Sequence, residues 1–390
     1  MTETVVAVLF GGRSCEHEVS ILTAHEAIAV LQEMPSYSIL PIYITKDGRW
    51  LTGRELMHLN KFAESERLER ICQPLTLRPM GRDAVVAELG GFPGRRKALH
   101  VDVALPLLHG PNGEDGTLQG TLEMLGLPYA GSGVLASALC MNKVAMRQMF
   151  ASAGLPQVAY SVIRRAQWRD NHAAELARVQ ESTSGPVFVK PVRGGSSVGV
   201  TFVEEPSELA ASIDLALEFD EEAIVEVAVL AADEINCSVL RTPDAIRTSV
   251  LESVRRKESF LSYDQKYMQW SKGASAKGIE GHEIPASLPE EVAARIRSLA
   301  QTAFEVCMCD GVARIDFLVR DADVYIIEIN TTPGSLAFYL WEASGMSFDQ
   351  LLDSLLVSAR VEWESRQSSV FSLDRNLLAD IEARKGAKRR

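Results

Sequence analysis

The chain has no apolar run near the eighteen or so residues that a membrane span needs. Its start, Met1 to Gly12, lacks the basic opening of a secretory signal, and the short apolar run there ends in Gly-Gly. An excess of positive charge is also missing, since the formal net charge is −12. That argues against nucleic acid and against an anionic membrane surface as partners. Paired cysteines are absent. The six cysteines (Cys15, Cys72, Cys140, Cys237, Cys307, Cys309) form no C-x-x-C pair, and neither Cys307 nor Cys309 has a histidine nearby in sequence. A disulfide framework and a zinc site are both disfavoured, so the cysteines read as small buried hydrophobes. The first strand ends without G-x-G-x-x-G, which removes a dehydrogenase reading. No internal repeat or low-complexity tract stands out. The expectation is a cytoplasmic protein.

What is present fits a chain of two to three domains: 390 residues, 46% of them hydrophobic. The β-branched run Thr4 to Phe10 reads as a buried strand, followed by a helix from about Val19 to Gln32. "YSILPIYIT" and "VDVALPLLHG" read as two more strands, giving a β-α-β pattern with a parallel sheet. The charged stretch from about Gly53 to Leu99 reads as an irregular elaboration. A helical region runs from Gly131 to Ala153. Strand-rich segments follow, then a region from near Ala231 with a Lys/Gly/Ser loop (Lys272 to Lys277), a helix "PEEVAARIRSLAQTAFEVCM" and the pair "GVARIDFLVRDADVYIIEIN".

That pair reads as a hairpin turning at "RDAD". Residues two apart in a strand share a face. With the turn centred on Ala322, Asp316 lies across from Glu328, and Arg314 across from Asn330. Two carboxylates and an amide oxygen are hard oxygen ligands that suit Mg²⁺, which shares its shell with water and phosphate. A solvated outer face is the other reading.

Lys190 ends the strand "PVFVK", and "RGGSSVG" follows. Gly194 and Gly195 allow close approach of backbone to phosphate, and Ser196 and Ser197 can donate to its oxygens. The Walker order G-K-[ST] is absent, and a flexible hairpin is the plain alternative. In "SFLSYDQKY", Phe260 can cover a purine, Lys266 can neutralise phosphate and Tyr267 can orient a neighbour. In "FGGRSCEHEVS", Glu16 and Glu18 either complement a helix dipole or hold a substrate ammonium. His109 sits at the tip of "LLHGPNGEDGT", where a lone histidine is ordinarily structural or solvated.

Together these pieces resemble the D-alanine–D-alanine ligase family of ATP-grasp enzymes. The resemblance rests on "VAVLFGGRSCEHEVS", "LPLLHGPNGEDGTLQG", "LPYAGSGVLASALCMNK", "VFVKPVRGGSSVG", "YDQKY", "GVARIDF" and "EINTTPG", in family order from about residue 4 to 357. It implies an α/β (α+β) ATP-grasp fold of three domains with a Rossmann-like first one. The divisions are 1–130, 131–228 and 229–365, with a tail at 366–390. It implies ATP, two Mg²⁺ ions (or Mn²⁺), amino-acid substrates and a homodimer. In the family the carboxylate of the first D-alanine becomes an acyl phosphate, and the amine of the second attacks it.

Glu16 resembles the acid that holds the first ammonium, with Val19 beside it. Ser196 and Tyr267 resemble the residues that position that acid, and His109 the histidine near the first carboxylate. Arg314 and the backbone at Gly334 resemble the oxyanion donors. Lys143, Lys190 and Lys266 resemble the phosphate-side lysines, with Ser196 and Ser197 donating to the phosphates. Glu226 and Glu234 resemble the acids that read the adenine amine and the ribose, and Phe260 and Ile327 the apolar groups around the purine. Asp316, Glu328 and Asn330 resemble the metal ligands. The sequence departs from the family after Pro333-Gly334. There "SLAFYLWEASGMS" is about four residues shorter than usual, so Ser335 and Leu336 stand only approximately where the family's Ser-Leu pair meets the second carboxylate. The loop after Tyr267 also differs. Tyr267 itself implies an amine acceptor, because ester-forming relatives place a histidine there. Three readings follow: D-alanine–D-alanine ligase for peptidoglycan precursors, a paralogous dipeptide ligase, and a non-catalytic ATP-binding regulator.

Overall fold

Three β-sheets follow one another along the chain in a computed structural model that describes residues 3–80, 85–89, 98–254, 281–370 and 376–378. The first sheet is built around β1 (Thr4–Gly11), which pairs in parallel with β2 (Tyr37–Ile44) and β7 (Val103–Pro106). Val6, Val8 and Phe10 of β1 face one core, and Ala7 and Leu9 face another. Burial on both faces is why this strand reads as a continuous apolar run. A helix, His17–Leu31, covers the first of these faces.

The stretch from Gly53 to Leu99 departs from the expected irregular elaboration. It contains β4 (Gln73–Pro79), β5 (Val85–Leu89) and, at its end, the start of β6 (Ala98–Val101). Together with β3 (Trp50–Thr52), these add antiparallel strands in the order β6-β5-β4-β3-β2-β1-β7, so the sheet is mixed. Leu75 and Leu77 are the only buried residues of β4, an alternation that marks a half-buried strand.

The second sheet has the order β10-β9-β11-β8, from β8 (Tyr160–Arg164), β9 (Val187–Pro191), β10 (Thr201–Val203) and β11 (Glu222–Val227). The third has the order β14-β13-β12-β15-β16, from β12 (Asp233–Arg241), β13 (Ile246–Val254), β14 (His282–Glu283), β15 (Val312–Arg320) and β16 (Asp323–Asn330). Its back packs on the helix Glu290–Val306 through Ile235, Cys237, Ile315 and Phe317. The alternate residues Asn236, Arg314 and Asp316 therefore face the other way. The last helix, Phe348–Gln367, returns to the first sheet and buries Leu351, Leu352, Leu355 and Leu356 there.

The β15–β16 hairpin pairs Asp316 with Glu328 and Arg314 with Asn330. The turn, however, centres between Asp321 and Ala322, since Arg320 pairs with Asp323. A bulge at Ile327 adds one residue to β16 and restores the pairing. The burial pattern eBiBiiBi shows the effect, because Ile327 and Glu328 are both half-buried on the open face. Without the extra residue, Asp316 would face Ile327, and Glu328 would turn toward the core.

β16 is an edge strand, and the outward backbone groups of Ile326 are covered. Ile326 N–H donates to Pro156 O at 2.9 Å, and Arg147 Nη1 donates to Ile326 O at 3.3 Å. Arg147 is 1% exposed and also donates through Nη2 to Glu226 Oε1 on β11. One guanidinium thus joins the second sheet to the edge of the third. Replacing Arg147 by Met keeps much of the volume but leaves a buried carboxylate short of one partner. Urea unfolding should show a loss of roughly 3 kcal/mol. A loss within about 0.5 kcal/mol, typical of surface changes, would contradict this role.

Candidate active site

A cavity of about 530 Å³ opens between the second and third sheets, with the first sheet's loops at one end. Its floor is a polar row that crosses four strands: Glu252 on β13, Asn236 on β12, Asp316 on β15 and Glu328 on β16 are successive direct partners. Direct partners point to the same side. The neighbouring row holds Ser238, Arg314 and Asn330. Arg314 grips Asp316 with two bonds, Nε to Oδ1 at 2.7 Å and Nη2 to Oδ2 at 2.8 Å. Asn330 Nδ2 donates to Oδ2 at 3.0 Å. Burial works against the Arg314 charge, but Asp316 outweighs it and drives the pKa well up.

The opposite wall carries the lysines. Lys190 Nζ lies 2.6 Å from Glu226 Oε2, and Lys143 Nζ donates to Gly194 O at 2.6 Å and lies 3.9 Å from Glu328 Oε2. Burial alone would raise the Glu226 pKa, but Arg147 and Lys190 pull it down to about 2. Ser196 and Ser197 have φ of 52° and 63°, so this turn holds two non-glycine residues in the left-handed region.

At the end wall, Glu16 is 8% exposed and accepts a hydrogen bond from Ser196 Oγ, so the first sheet's loop meets the second sheet's turn. Burial and then Glu114 raise the Glu16 pKa. A Cβ at Gly195 would sit 2.8 Å from Glu16 Oε2, and one at Gly110 2.7 Å. Both positions must be glycine for the carboxylate to lie there. His109 is buried, with Nε2 3.0 Å from Thr23 Oγ1 and Nδ1 3.8 Å from Glu114 Oε2. Burial lowers its pKa, but Glu114 and Glu16 raise it further, to above the ordinary value. Glu114 also accepts from Gly110 N–H at 2.8 Å and Thr332 N–H at 3.1 Å, pinning two loops together.

The cavity therefore gathers Glu16, Val19, His109, Lys143, Lys190, Ser196, Ser197, Glu226, Glu234, Arg314, Asp316, Ile327, Glu328, Asn330 and Gly334. Ser335 and Leu336 are placed elsewhere. Ser335 Oγ donates to Glu26, its N–H donates to Thr23 Oγ1 at 3.2 Å, and Leu336 packs into the first core. Ser335, Leu336 and Ala337 have φ of 51°, 52° and 50°, and this left-handed run turns the chain inward. The Glu226 carboxylate is held by two cations of the chain itself, Arg147 and Lys190, at the wall of the cavity. Phe260, Lys266 and Tyr267, with the Lys272 to Lys277 loop, lie outside the described residues.

Sequence reasoning missed Arg147, Glu114, Glu252, His282 and Tyr339. Arg147 sat unremarked in a helical stretch. Glu114 lay inside "LPLLHGPNGEDGTLQG" without a role. Glu252 carried the one polar signal available, a lone acid in the apolar strand "SVLESV".

The chain matches the family description "D-ala D-ala ligase N-terminus" over residues 5–132 and "D-ala D-ala ligase C-terminus" over residues 149–357. The chain belongs to the D-alanine–D-alanine ligase family. Its relatives include a D-alanine–D-alanine ligase of Thermosipho africanus, 35% identical over 95% of this chain and 97% of that one. Another, from Streptomyces avermitilis, is 40% identical over 91% of this chain and 93% of that one. Among solved structures, the D-alanine-D-alanine ligase from Coxiella burnetii aligns with a TM-score of 0.77 at 29% identity, covering 94% of this chain and 97% of that one. The VanG D-Ala:D-Ser ligase from Enterococcus faecalis aligns at 0.76 and 29%, covering 92% of this chain and 100% of that one. The fold is ATP-grasp.

The family implies divalent metal, and the donor set fits it. Asp316, Glu328 and Asn330 share one face, and two carboxylates with an amide oxygen are the hard oxygen donors that such an ion takes. Among the described residues no group of three or more His, Cys, Asp or Glu side chains could hold a metal alone.

Glu226 gives this ligase fold an acid-sensitive brace. Its folded pKa of about 2 lies below the ordinary 4.5. Its contribution is therefore complete above about pH 4.5 and is lost as pH falls toward 2. The shift corresponds to about 3 kcal/mol. The stability gap between wild type and Glu226→Gln should narrow as pH drops from 6 to 3, read by urea midpoints. A gap constant over that range would contradict the brace.

Proposed function

We propose that this protein is an ATP-dependent carboxylate–amine ligase that joins two D-alanines through an acyl phosphate, supplying a peptidoglycan precursor. The observation that carries the proposal is the polar row through Asp316 and Glu328, with Arg314 in the row beside it, facing the Glu16–Ser196 pair across one cavity. Each part has a role in such a reaction. Glu16, positioned by Ser196, takes the donor ammonium. His109, held by Thr23 and Glu114, faces the donor carboxylate. Lys143 and Lys190 with the Gly194–Ser197 turn hold the triphosphate. Ile327 and the Val227 to Leu230 segment enclose the base, and Glu234 takes the ribose. Arg314 and the Gly334 backbone stabilise charge on the attacked carbonyl oxygen. Asp316, Glu328 and Asn330 would hold Mg²⁺, which screens phosphate charge when bound.

The donor carboxylate oxygen attacks the γ-phosphorus and ADP leaves. The acceptor amine then attacks the acyl carbon and phosphate leaves. The homodimer and the cytoplasmic location belong to the same proposal. No helix among the described residues is long and apolar enough to cross a membrane.

One observation favours a second reading, a ligase with another acceptor. Ser335 is turned onto Glu26, and Tyr339 from the same shortened segment lines the cavity instead. Phosphate release with ATP and Mg²⁺ across D- and L-amino acids, singly and in pairs, with products identified by mass, separates the two. D-alanyl-D-alanine from D-alanine alone supports the first, and an inert D-alanine beside another ligated pair supports the second.

Arg314→Ala and Glu328→Gln should each reduce dipeptide formation by at least about a hundredfold, with the melting transition retained. Near wild-type turnover in either would contradict the assignment. Lys190→Ala should raise the ATP concentration needed for half-maximal rate, and an unchanged ATP dependence would contradict the phosphate role.

A further inference from the structure

Beside Arg314 the cavity holds a second polar group that the donor, nucleotide and metal roles leave unused. Glu252 is 1% exposed, and both of its oxygens are engaged. Oε1 lies 2.7 Å from His282 Nδ1. Oε2 accepts from Asn236 Nδ2 at 3.0 Å and from Tyr339 Oη at 3.1 Å. Glu252, Asn236, His282 and Tyr339 all line the cavity. Glu252 lies two strands from Asp316 in the polar row, on the side away from Glu328. The metal patch and Lys143 are therefore at one end of the row and this group at the other. Tyr339 belongs to the segment after Pro333-Gly334, in the helix Phe338–Ala343.

A buried carboxylate without partners would take up a proton. Burial does push the Glu252 pKa up, but the bonds from His282 and Asn236, helped by the Arg314 charge, bring it below the ordinary value. An ionised Glu252 fixes the histidine ring with Nδ1–H toward the carboxylate. Nε2 is then the basic nitrogen of the pair, and among the described residues it has no hydrogen-bond partner. A carboxylate that orients an imidazole in this way leaves its other nitrogen placed to accept a proton.

The reaction needs such a base. An amino-acid acceptor arrives as an ammonium, which has no lone pair to attack with. We propose that His282, oriented by Glu252, is the base that deprotonates the acceptor amine, and that Tyr339 and Asn236 hold the dyad in place at the acceptor end of the cavity. The inference rests on the ligase reading. An ammonium proton passes to His282 Nε2, and the freed lone pair forms the C–N bond at the acyl carbon. The bond from that carbon to the phosphate oxygen then breaks, with its electron pair leaving on phosphate. The second nitrogen proton leaves with the phosphate. Among the described residues, the titratable and charged groups at the dyad are Glu252 on β13, Glu283 next to His282 on β14, Arg314 on β15 and Tyr339.

Hydroxylamine tests this, because it is already a neutral nucleophile near pH 7 and traps an acyl phosphate as a hydroxamate. His282→Gln keeps an amide able to donate to Glu252. With full-length protein, ATP, Mg²⁺ and D-alanine or whichever donor is active, His282→Gln should lose dipeptide formation by about a hundredfold. Hydroxamate formation should stay near the wild-type rate, which also shows that the variant folds and activates the donor. Glu252→Gln should show the same split to a smaller degree. Dipeptide and hydroxamate rates falling together, or an unchanged dipeptide rate, overturns the assignment of His282. Absence of hydroxamate from the wild type with every amino acid overturns the ligase reading beneath it.

Discussion

Arg147 is the junction on which the cavity depends. Its guanidinium holds the buried Glu226 carboxylate of the second sheet and caps the Ile326 carbonyl on the edge of the third. Glu226 in turn holds Lys190, so one chain of charges runs from the edge of the third sheet to the phosphate-side lysine. A buried carboxylate with a single cation would face a large desolvation cost, and two cations offset it. The two walls are thereby tied through groups that stay charged in spite of burial because they are paired.

The rest of the site follows from strand geometry. β12 and β15 alternate strictly, so the residues not needed by the core form a polar row on the open face. That much was legible in "ARIDFLV" and "VYIIEIN", where polar residues interrupt apolar runs two apart. The pairing of Asp316 with Glu328 was also expected, but through a turn centred one half-step away. The bulge at Ile327 supplies the difference, and a bulge leaves no clear mark in an apolar run such as "VYIIEIN". The Leu75 and Leu77 alternation of β4 was visible as well, yet the surrounding charges and prolines concealed it.

Long-range partners were the least legible. Nothing local to "KVAMRQM" tells that Arg147 will be buried, because its partners lie 79 and 179 residues away. The same holds for Glu252, whose bond to His282 spans 30 residues and to Tyr339 spans 87. The departure after Pro333-Gly334 was visible as a shortened segment, but its consequence was not. Three successive left-handed residues turn Ser335 and Leu336 into the interior, and the helix Phe338–Ala343 then brings Tyr339 to the cavity. Trp341 of the same helix donates to Ser238 at 2.9 Å, so the apolar half of the segment seals the sheet beside Arg314.

The central claim is that the open face of the third sheet is where nucleotide and metal meet the reacting carboxylate. A crystal structure with ADP, Mn²⁺ in place of Mg²⁺ and a phosphorylated phosphinate analogue of the dipeptide tests it most directly, since Mn²⁺ can be located by its anomalous signal. The account predicts metal peaks bounded by Asp316, Glu328 and Asn330, with the analogue's phosphinate oxygen on Arg314 and its amino group on Glu16. Metal bound elsewhere, or an analogue lying away from Arg314 and Glu16, would contradict it.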